Sequence, residues 1–197
     1  MGNWSESITW ERNWWGTCGN TLFEEQKQLV YAGLMGLRFT PSEKTPYNIN
    51  LEGKSVIDIG GGPCSLLLKC YNAGTLMVVD PLEYPEWVQL RYETCGIKLI
   101  QGKGEDLWSL VIGTADEVWI YNCLQHTEDP YKIITNAQKS ADIIRIFEWI
   151  DTSISDGHLH TLTEDKLNKW LDGNGKVGYL NGENGCRGKY YTGVFPC

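Results

Sequence analysis

The segment VIDIGGGPCS places a carboxylate, Asp58, two residues ahead of three consecutive glycines, Gly60, Gly61 and Gly62, with Pro63 directly behind them. Glycines let a backbone come close to a ligand, and a helix that starts just after them offers unpaired amide donors. Pro63 suits the first position of such a helix. A carboxylate at this place suits a cationic amino-acid ligand. A dinucleotide fingerprint does not need one, and it carries a third glycine where this chain has Ser65. The bland alternative is a tight strand-to-helix turn that binds nothing, and the acids further along the chain weigh against it. VVDP puts Asp80 about twenty residues beyond the loop, where an acid at a strand end can take both hydroxyls of a ribose. Taken alone, Asp80 would also serve as the cap of a helix after Pro81. GKGEDL then offers Glu105 and Asp106, either of which can accept from an adenine amino group or act as an N-terminal charge on a helix.

A fourth segment, IYNCLQHTEDP, brings Asn122, Leu124, Gln125 and His126 to a strand end. Histidine as a residue type titrates near neutrality, so His126 suits a general base that takes a proton from an attacking hydroxyl. It suits equally well a residue that orients a loop. His158 and His160 flank Leu159, with Glu148 and Asp151 nearby in sequence. No further His or Cys completes a ligand set, so substrate contact or a structural role is expected there and no metal. Ahead of all this, Trp4, Trp10, Trp14 and Trp15 form an aromatic leader. It is either a lid that covers a ligand and excludes water, with Trp14, Trp15, Gly16 and Thr17 as the residues involved, or an anchor for the first helix.

The elements that must position these residues follow from apolar patterning. Short apolar runs at 55–59, 75–80, 97–101, 116–121 and 141–149 read as buried parallel strands. Between them lie helix candidates near 64–71, 85–94, 105–111 and 130–140, the crossovers of a doubly wound α/β sheet. Open sheets of this kind bind ligands at the carboxyl ends of their strands, where each of the four segments terminates. Upstream, Thr21 and Glu24 have capping-box spacing and open a helix expected to run to about Leu37. Downstream comes a helix near 164–171, followed by a Gly/Asn-rich turn and a β-hairpin.

The 197 residues suit one domain, expected as an aromatic-rich cap over 1–50 and an α/β unit over 51–197. No apolar stretch approaches the roughly 20 residues needed to span a bilayer, and the N-terminus lacks the pattern of a secretory signal. A soluble, cytoplasmic protein without membrane association is the expectation. Seven cysteines, an odd number without a C-x-x-C pair, read as reduced and mostly buried thiols. A net charge of -8 counts against nucleic acid as partner, since such binding depends on Lys and Arg displacing counterions.

In the order D-x-G-G-G-P, VVDP, GEDL and YNCLQHTEDP, together with HLHTLTEDKLNKWL, the chain from about Lys54 onward resembles the class I S-adenosylmethionine-dependent methyltransferases. The resemblance implies a seven-stranded, mostly parallel sheet whose last strand enters antiparallel. It implies S-adenosylmethionine as cofactor, with Gly60 to Gly62 at the methionine part, Asp80 at the ribose, and Glu105 or Asp106 at adenine. Asp58, Pro81, Asn122, Leu124 and Trp15 complete the expected cofactor contacts; Gln125, His158 and His160 are expected at the acceptor. The [DNS]-P-P-[YF] pattern of DNA amino-methyltransferases is absent. The expected activity is methyl transfer to an oxygen or nitrogen of a small-molecule, sugar or glycan-like acceptor. A noncatalytic module binding the same cofactor and a nicotinamide-dependent reductase are the rivals.

Overall fold

The computed structural model describes residues 3–16, 18–111 and 113–197. A seven-stranded sheet is assembled from β2 (Val56–Ile59), β4 (Leu76–Asp80), β5 (Ile97–Gln101), β6 (Ala115–Tyr121), β7 (Ala141–Trp149), β8 (Lys176–Asn181) and β9 (Arg187–Pro196). Their order is β5-β4-β2-β6-β7-β9-β8. All pairs are parallel except those that β9 makes with β7 and β8. Two very short strands, β1 (Ile49–Asn50) and β3 (Cys70–Tyr71), pair outside this sheet. The fold is therefore α/β, mostly parallel and closed by an antiparallel C-terminal hairpin. The turn of that hairpin holds Gly182, Asn184 and Gly185 at positive φ, which NGENG tolerates.

Alternation along the central strands divides the core into two layers. Val118 and Ile120 of β6 join Ile133 and Ile134 of helix α5 (Pro130–Ser140) on one face. Trp119 and Tyr121 face the opposite way, toward Tyr31 and Met35 and toward Phe147 of β7. Helices α1 (Trp4–Trp15), α2 (Cys18–Leu34), α3 (Glu86–Thr94), α4 (Leu107–Leu110) and α6 (Glu164–Trp170) complete the described set. Among the described residues no helix is long and apolar enough to cross a membrane.

Four elements differ from the sequence expectation. The stretch 64–71 is not an α-helix but two 3-10 turns, Gly62–Cys64 and Leu66–Lys69, running into β3. Ser65 breaks it at φ -45 and ψ 145. Backbone groups that a helix would use are taken instead by tyrosine hydroxyls: Ser65 N donates to Tyr92, Leu66 N donates to Tyr121, and Tyr92 itself donates to Gly62 O. Helix α2 starts at Cys18, so Thr21 sits inside it. It stops at Leu34 because Gly36 takes φ 78, and Leu37 N closes back on Ala32 O at 2.9 Å. The leader Trp4–Trp15 is itself a helix, capped by Asn3, whose side chain accepts from Ser5 N. The stretch 105–111 divides into a 3-10 turn, Gly104–Asp106, and the short α4. Cys64, Cys123 and Cys186 are buried, whereas Cys95 and Cys197 are exposed and all the described thiols are free. Thr17, Ile112 and the Cys18 side chain lie outside the described residues.

One ion-pair cluster ties α2 to the sheet at the end remote from the strand carboxyl termini. Glu117 accepts from Arg145 Nε at 2.6 Å, Trp119 Nε1 at 2.9 Å and Lys54 Nζ at 2.9 Å. Arg145 Nη1 also donates to Met35 O at 2.9 Å, satisfying a carbonyl just past the end of α2. Burial alone would raise the Glu117 carboxyl, but Arg145, Trp119 and Lys54 outweigh it and hold it at about 2, below its ordinary 4.5. A depressed acid contributes stability above its unfolded value and loses it as pH falls through the folded one. The Glu117→Gln variant should be less stable by about 2 kcal/mol at pH 7, allowing for solvent screening, with the gap narrowing below pH 4.5 and closing near pH 2. Urea unfolding of both chains across that range measures it.

Candidate functional site

The glycine turn rests on a buried carboxylate. Asp58 is fully buried at the end of β2, and its Oδ2 accepts from Ser65 Oγ at 2.5 Å and from the Tyr121 hydroxyl. Burial pushes this acid up to about 7 against the lowering effect of the two hydroxyls, and Asp80 pushes it further the same way. A Cβ on Gly61 would stand 2.7 Å from Asp58 Oδ2, so only glycine lets the loop close over the acid. Gly60 has φ +72, and a Cβ there would meet Cys123 Cβ at 2.7 Å. The Trp15 ring covers Gly62.

Asp80, at the end of the neighbouring β4, holds the same turn from the other side. Its Oδ2 accepts from Gly62 N at 3.1 Å, while Oδ1 accepts from Leu82 N and the Tyr84 hydroxyl, each at 3.0 Å. Burial raises this carboxyl to about 6, opposed by those three donors. With two lone pairs on each oxygen, Oδ2 keeps one acceptor position for a ligand.

The third wall comes from the end of β6. Asn122 turns the chain at φ 53. The amides of Cys123 and Leu124 then both donate to Glu148 Oε1 at 3.0 Å. Burial pushes Glu148 up to about 7, against the lowering effect of those amides. Gln125 Nε2 donates to Asn122 Oδ1 at 3.2 Å and lies 3.3 Å from His126 Nε2. His126 Nδ1 lies 2.5 Å from Gly157 O and 2.8 Å from the Glu11 carboxylate. Burial pulls His126 down, but Glu11, Glu148 and the Gly157 carbonyl together outweigh it and the net shift is upward. His158 packs edge-on against His126, with ring centroids 4.8 Å apart, and burial together with His126 pulls it down to about 4.

These three strand ends surround a cavity of about 390 Å³, within the range of roughly 300–1,000 Å³ usual for small-molecule sites. Of the residues singled out in the sequence, Gly60, Asp80, Pro81, Asn122, Gln125, His126, His158 and Trp15 line it together. Helix α1 forms its roof with Trp4, Ile8, Glu11 and Trp14. The roof is tied down at several points. Ser7 Oγ donates to Gly157 O at 3.4 Å, the Trp10 ring covers Gly157, and Lys103 Nζ sits 4.9 Å from the Trp4 ring centroid.

Other candidates lie outside the cavity lining. Asp58 is beneath the loop rather than beside the cavity, and Gly61 and Gly62 are likewise absent from the lining. The Glu105 carboxylate is drawn to the amides of Glu128 and Asp129 at 2.8 and 3.0 Å, where it serves the start of α5. Asp106 is exposed and pairs with Lys132 at 3.5 Å. Leu124 is fully buried in the core. His160 Nε2 meets Thr127 O at 2.8 Å, and its amide donates to Gln125 O; the residue braces the loop instead of facing the cavity. Among the described residues no group of three or more His, Cys, Asp or Glu is placed to hold a metal ion. Glu11, Lys27, Trp149 and Arg187, which no sequence motif marks, also line the cavity, as does Glu24, expected only as part of a helix cap. Glu11 and Glu24 lie on helix faces whose direction the local sequence does not reveal. Glu148 was noted only for its proximity to the two histidines, whereas its work is to cap the β6 turn.

No family model and no curated protein matches the chain by sequence. Solved structures do match in shape. A chain from the complex between the Haloferax volcanii Trm112 methyltransferase activator and a methyltransferase superposes with a TM-score of 0.60 at 14% identity, covering 92% of this chain and 95% of that one. The plantazolicin methyltransferase BamL, solved with a desmethylPZN analogue and SAH, gives 0.54 at 16%, covering 85% of this chain and 71% of BamL. TehB from Haemophilus influenzae gives 0.53 at 16%, covering 73% of this chain and 58% of TehB. With this strand order and this site at the strand carboxyl ends, the chain has the class I fold of the S-adenosylmethionine-dependent methyltransferases.

Proposed function

We propose that the chain binds S-adenosylmethionine beneath α1 and transfers its methyl group to an oxygen or nitrogen of a small-molecule, sugar or glycan-like acceptor. The observation that carries the reading is the convergence of Gly60, Asp80 and Asn122, from three adjacent strand ends, on one roofed cavity. The residues fit the cofactor. Gly60 leaves its backbone open to a ligand, Asp80 Oδ2 keeps an acceptor position for a ribose hydroxyl, and Pro81, Leu82 and Trp15 supply apolar surface for a base. Glu24 adds a carboxylate to the cavity wall, with Lys27 as its ion-pair partner. In this reading Asp58 acts on the ligand only through the glycine turn that it supports.

Bound there, S-adenosylmethionine supplies an electrophilic methyl group on a cationic sulfur. The chain's own part is alignment, exclusion of water and handling of one proton. His126 Nε2, on the cavity side and beside Gln125, takes the proton that an acceptor hydroxyl loses. Gln125 Oε1 is buried without a hydrogen-bond partner, so rotation of that amide gives the protonated Nε2 an acceptor. Trp4, Trp14 and Trp15 keep solvent from the reacting atoms.

Calorimetry with S-adenosylmethionine and S-adenosylhomocysteine should show binding, and NADH should show none; the opposite pattern rejects the proposal in favour of a reductase. Removing residues before Asn20 should abolish cofactor binding, because the roof goes with them. Label transfer from methyl-labelled cofactor into fractionated cell extract identifies the acceptor and separates an enzyme from a binding module. The Gly60→Ala variant forces a Cβ against Cys123 at positive φ. It should lose about 1–3 kcal/mol in urea unfolding and at least tenfold in S-adenosylhomocysteine affinity.

A further inference from the structure

We infer that Glu11, carried on α1, is the charge partner of His126, so that the base of the proposed reaction is complete only while α1 is docked over the cavity. The functional half of this inference rests on the methyl-transfer reading; the pairing itself does not.

The geometry divides the two ring nitrogens. Gln125 Nε2 can only donate, and it lies 3.3 Å from His126 Nε2. The imidazole lone pair therefore sits on Nε2, toward the cavity, and the proton on Nδ1. The Gly157 carbonyl at 2.5 Å takes that Nδ1–H. Glu11 Oε1 stands 2.8 Å from the same nitrogen, yet it is buried and makes no hydrogen bond of its own. A nearly buried carboxylate oxygen without a donor is costly beside a neutral ring and favourable beside an imidazolium. Glu11 thus acts by stabilising the ring after proton uptake, while the carbonyl sets the tautomer. The Glu11 and His126 side chains are 16% and 18% exposed, so water screens the attraction only weakly.

Every element packed around His126 agrees with this division. Glu148 of β7, raised to about 7, adds negative charge at longer range only as it ionises, and His158, held low at about 4, stays neutral beside the ring. The carbonyl that orients His126 is also the one that Ser7 of α1 reaches at 3.4 Å. The same segment, 155–158, is closed by mutual bonds between the Ser155 and His158 backbones. Docking of α1 therefore sets the position of Glu11 and the position of the Gly157 carbonyl in one event. Glu11 is a positioning and charge-balancing residue in this scheme, acting on the acceptor through His126.

The chain has three histidines, so a carbon-labelled histidine spectrum resolves each ring, with His126→Gln identifying its signal. In the unaltered chain His126 should titrate above 6.5 with its neutral form protonated at Nδ1. Glu11→Gln should lower that midpoint by about one unit, and Glu11→Asp should restore most of it. S-adenosylhomocysteine affinity of Glu11→Gln should stay within about twofold of the unaltered chain, and the acid limb of the methyl-transfer pH profile should move down by the same unit. An unmoved midpoint in Glu11→Gln overturns the pairing. So does a tenfold loss of S-adenosylhomocysteine affinity with the midpoint unmoved, which makes Glu11 a cofactor contact. If the unaltered chain binds no S-adenosylhomocysteine, the methyl-transfer reading fails, and the titration still decides the pairing on its own.

Discussion

A buried carboxylate beneath a glycine turn is the constraint from which the site is built. Asp58 has no water to solvate it, and an unpaired acid in that position would cost several kcal/mol. The chain meets the cost with the hydroxyls of Ser65 and Tyr121, and the consequences spread outward. Ser65 has to point back at the acid, which breaks the helix that would otherwise follow Pro63. The freed amides go to Tyr92 and Tyr121, so α3 and β6 are drawn into the same network. Asp80 grips the turn at Gly62 from the adjacent strand. The turn is thus held by side chains from both neighbouring strands, and its backbone stays open at Gly60.

Glu148 repeats the device one strand further along. Its carboxylate, buried in β7, takes the two amides that follow Asn122 and so fixes the direction in which Gln125 and His126 leave β6. Two acids raised to about 7 therefore underlie the two turns that form the floor and wall of the cavity. A raised acid charges only at a cost, and both acids are stabilised by donors that also shape the loops. The rigid side of the site is sheet-borne. The roof is different, because α1 reaches it through a few side-chain contacts to the loops after β5, β6 and β7.

The relation of sequence to structure differs by element. The strands at 97–101 and 141–149 and the helix at 130–140 have the bounds read from the chain. Each is long or apolar enough that local pattern and tertiary environment agree. The helix expected at 64–71 failed where a long-range demand, the Asp58 to Ser65 bond, overrode local propensity. The leader was legible as aromatic but not as a helix, since its tryptophans cover loops distant in sequence. Of the candidate site residues, those at strand ends were found because a parallel sheet brings its carboxyl ends to one edge whatever the helices do. Glu105 shows the limit of that rule, for its strand end is right but its carboxylate is claimed by the start of α5.

By itself, then, the amino-acid sequence determined the sheet, its parallel core, the glycine turn and the acids at successive strand ends, because these depend on short-range pattern and on the few geometries open to a buried parallel strand. Only the tertiary structure decided which acids face the cavity, which are consumed as caps, and that Glu11 meets His126. Those outcomes depend on competition among donors far apart in the chain for the same buried carboxylate or carbonyl, and no local spacing records which donor wins.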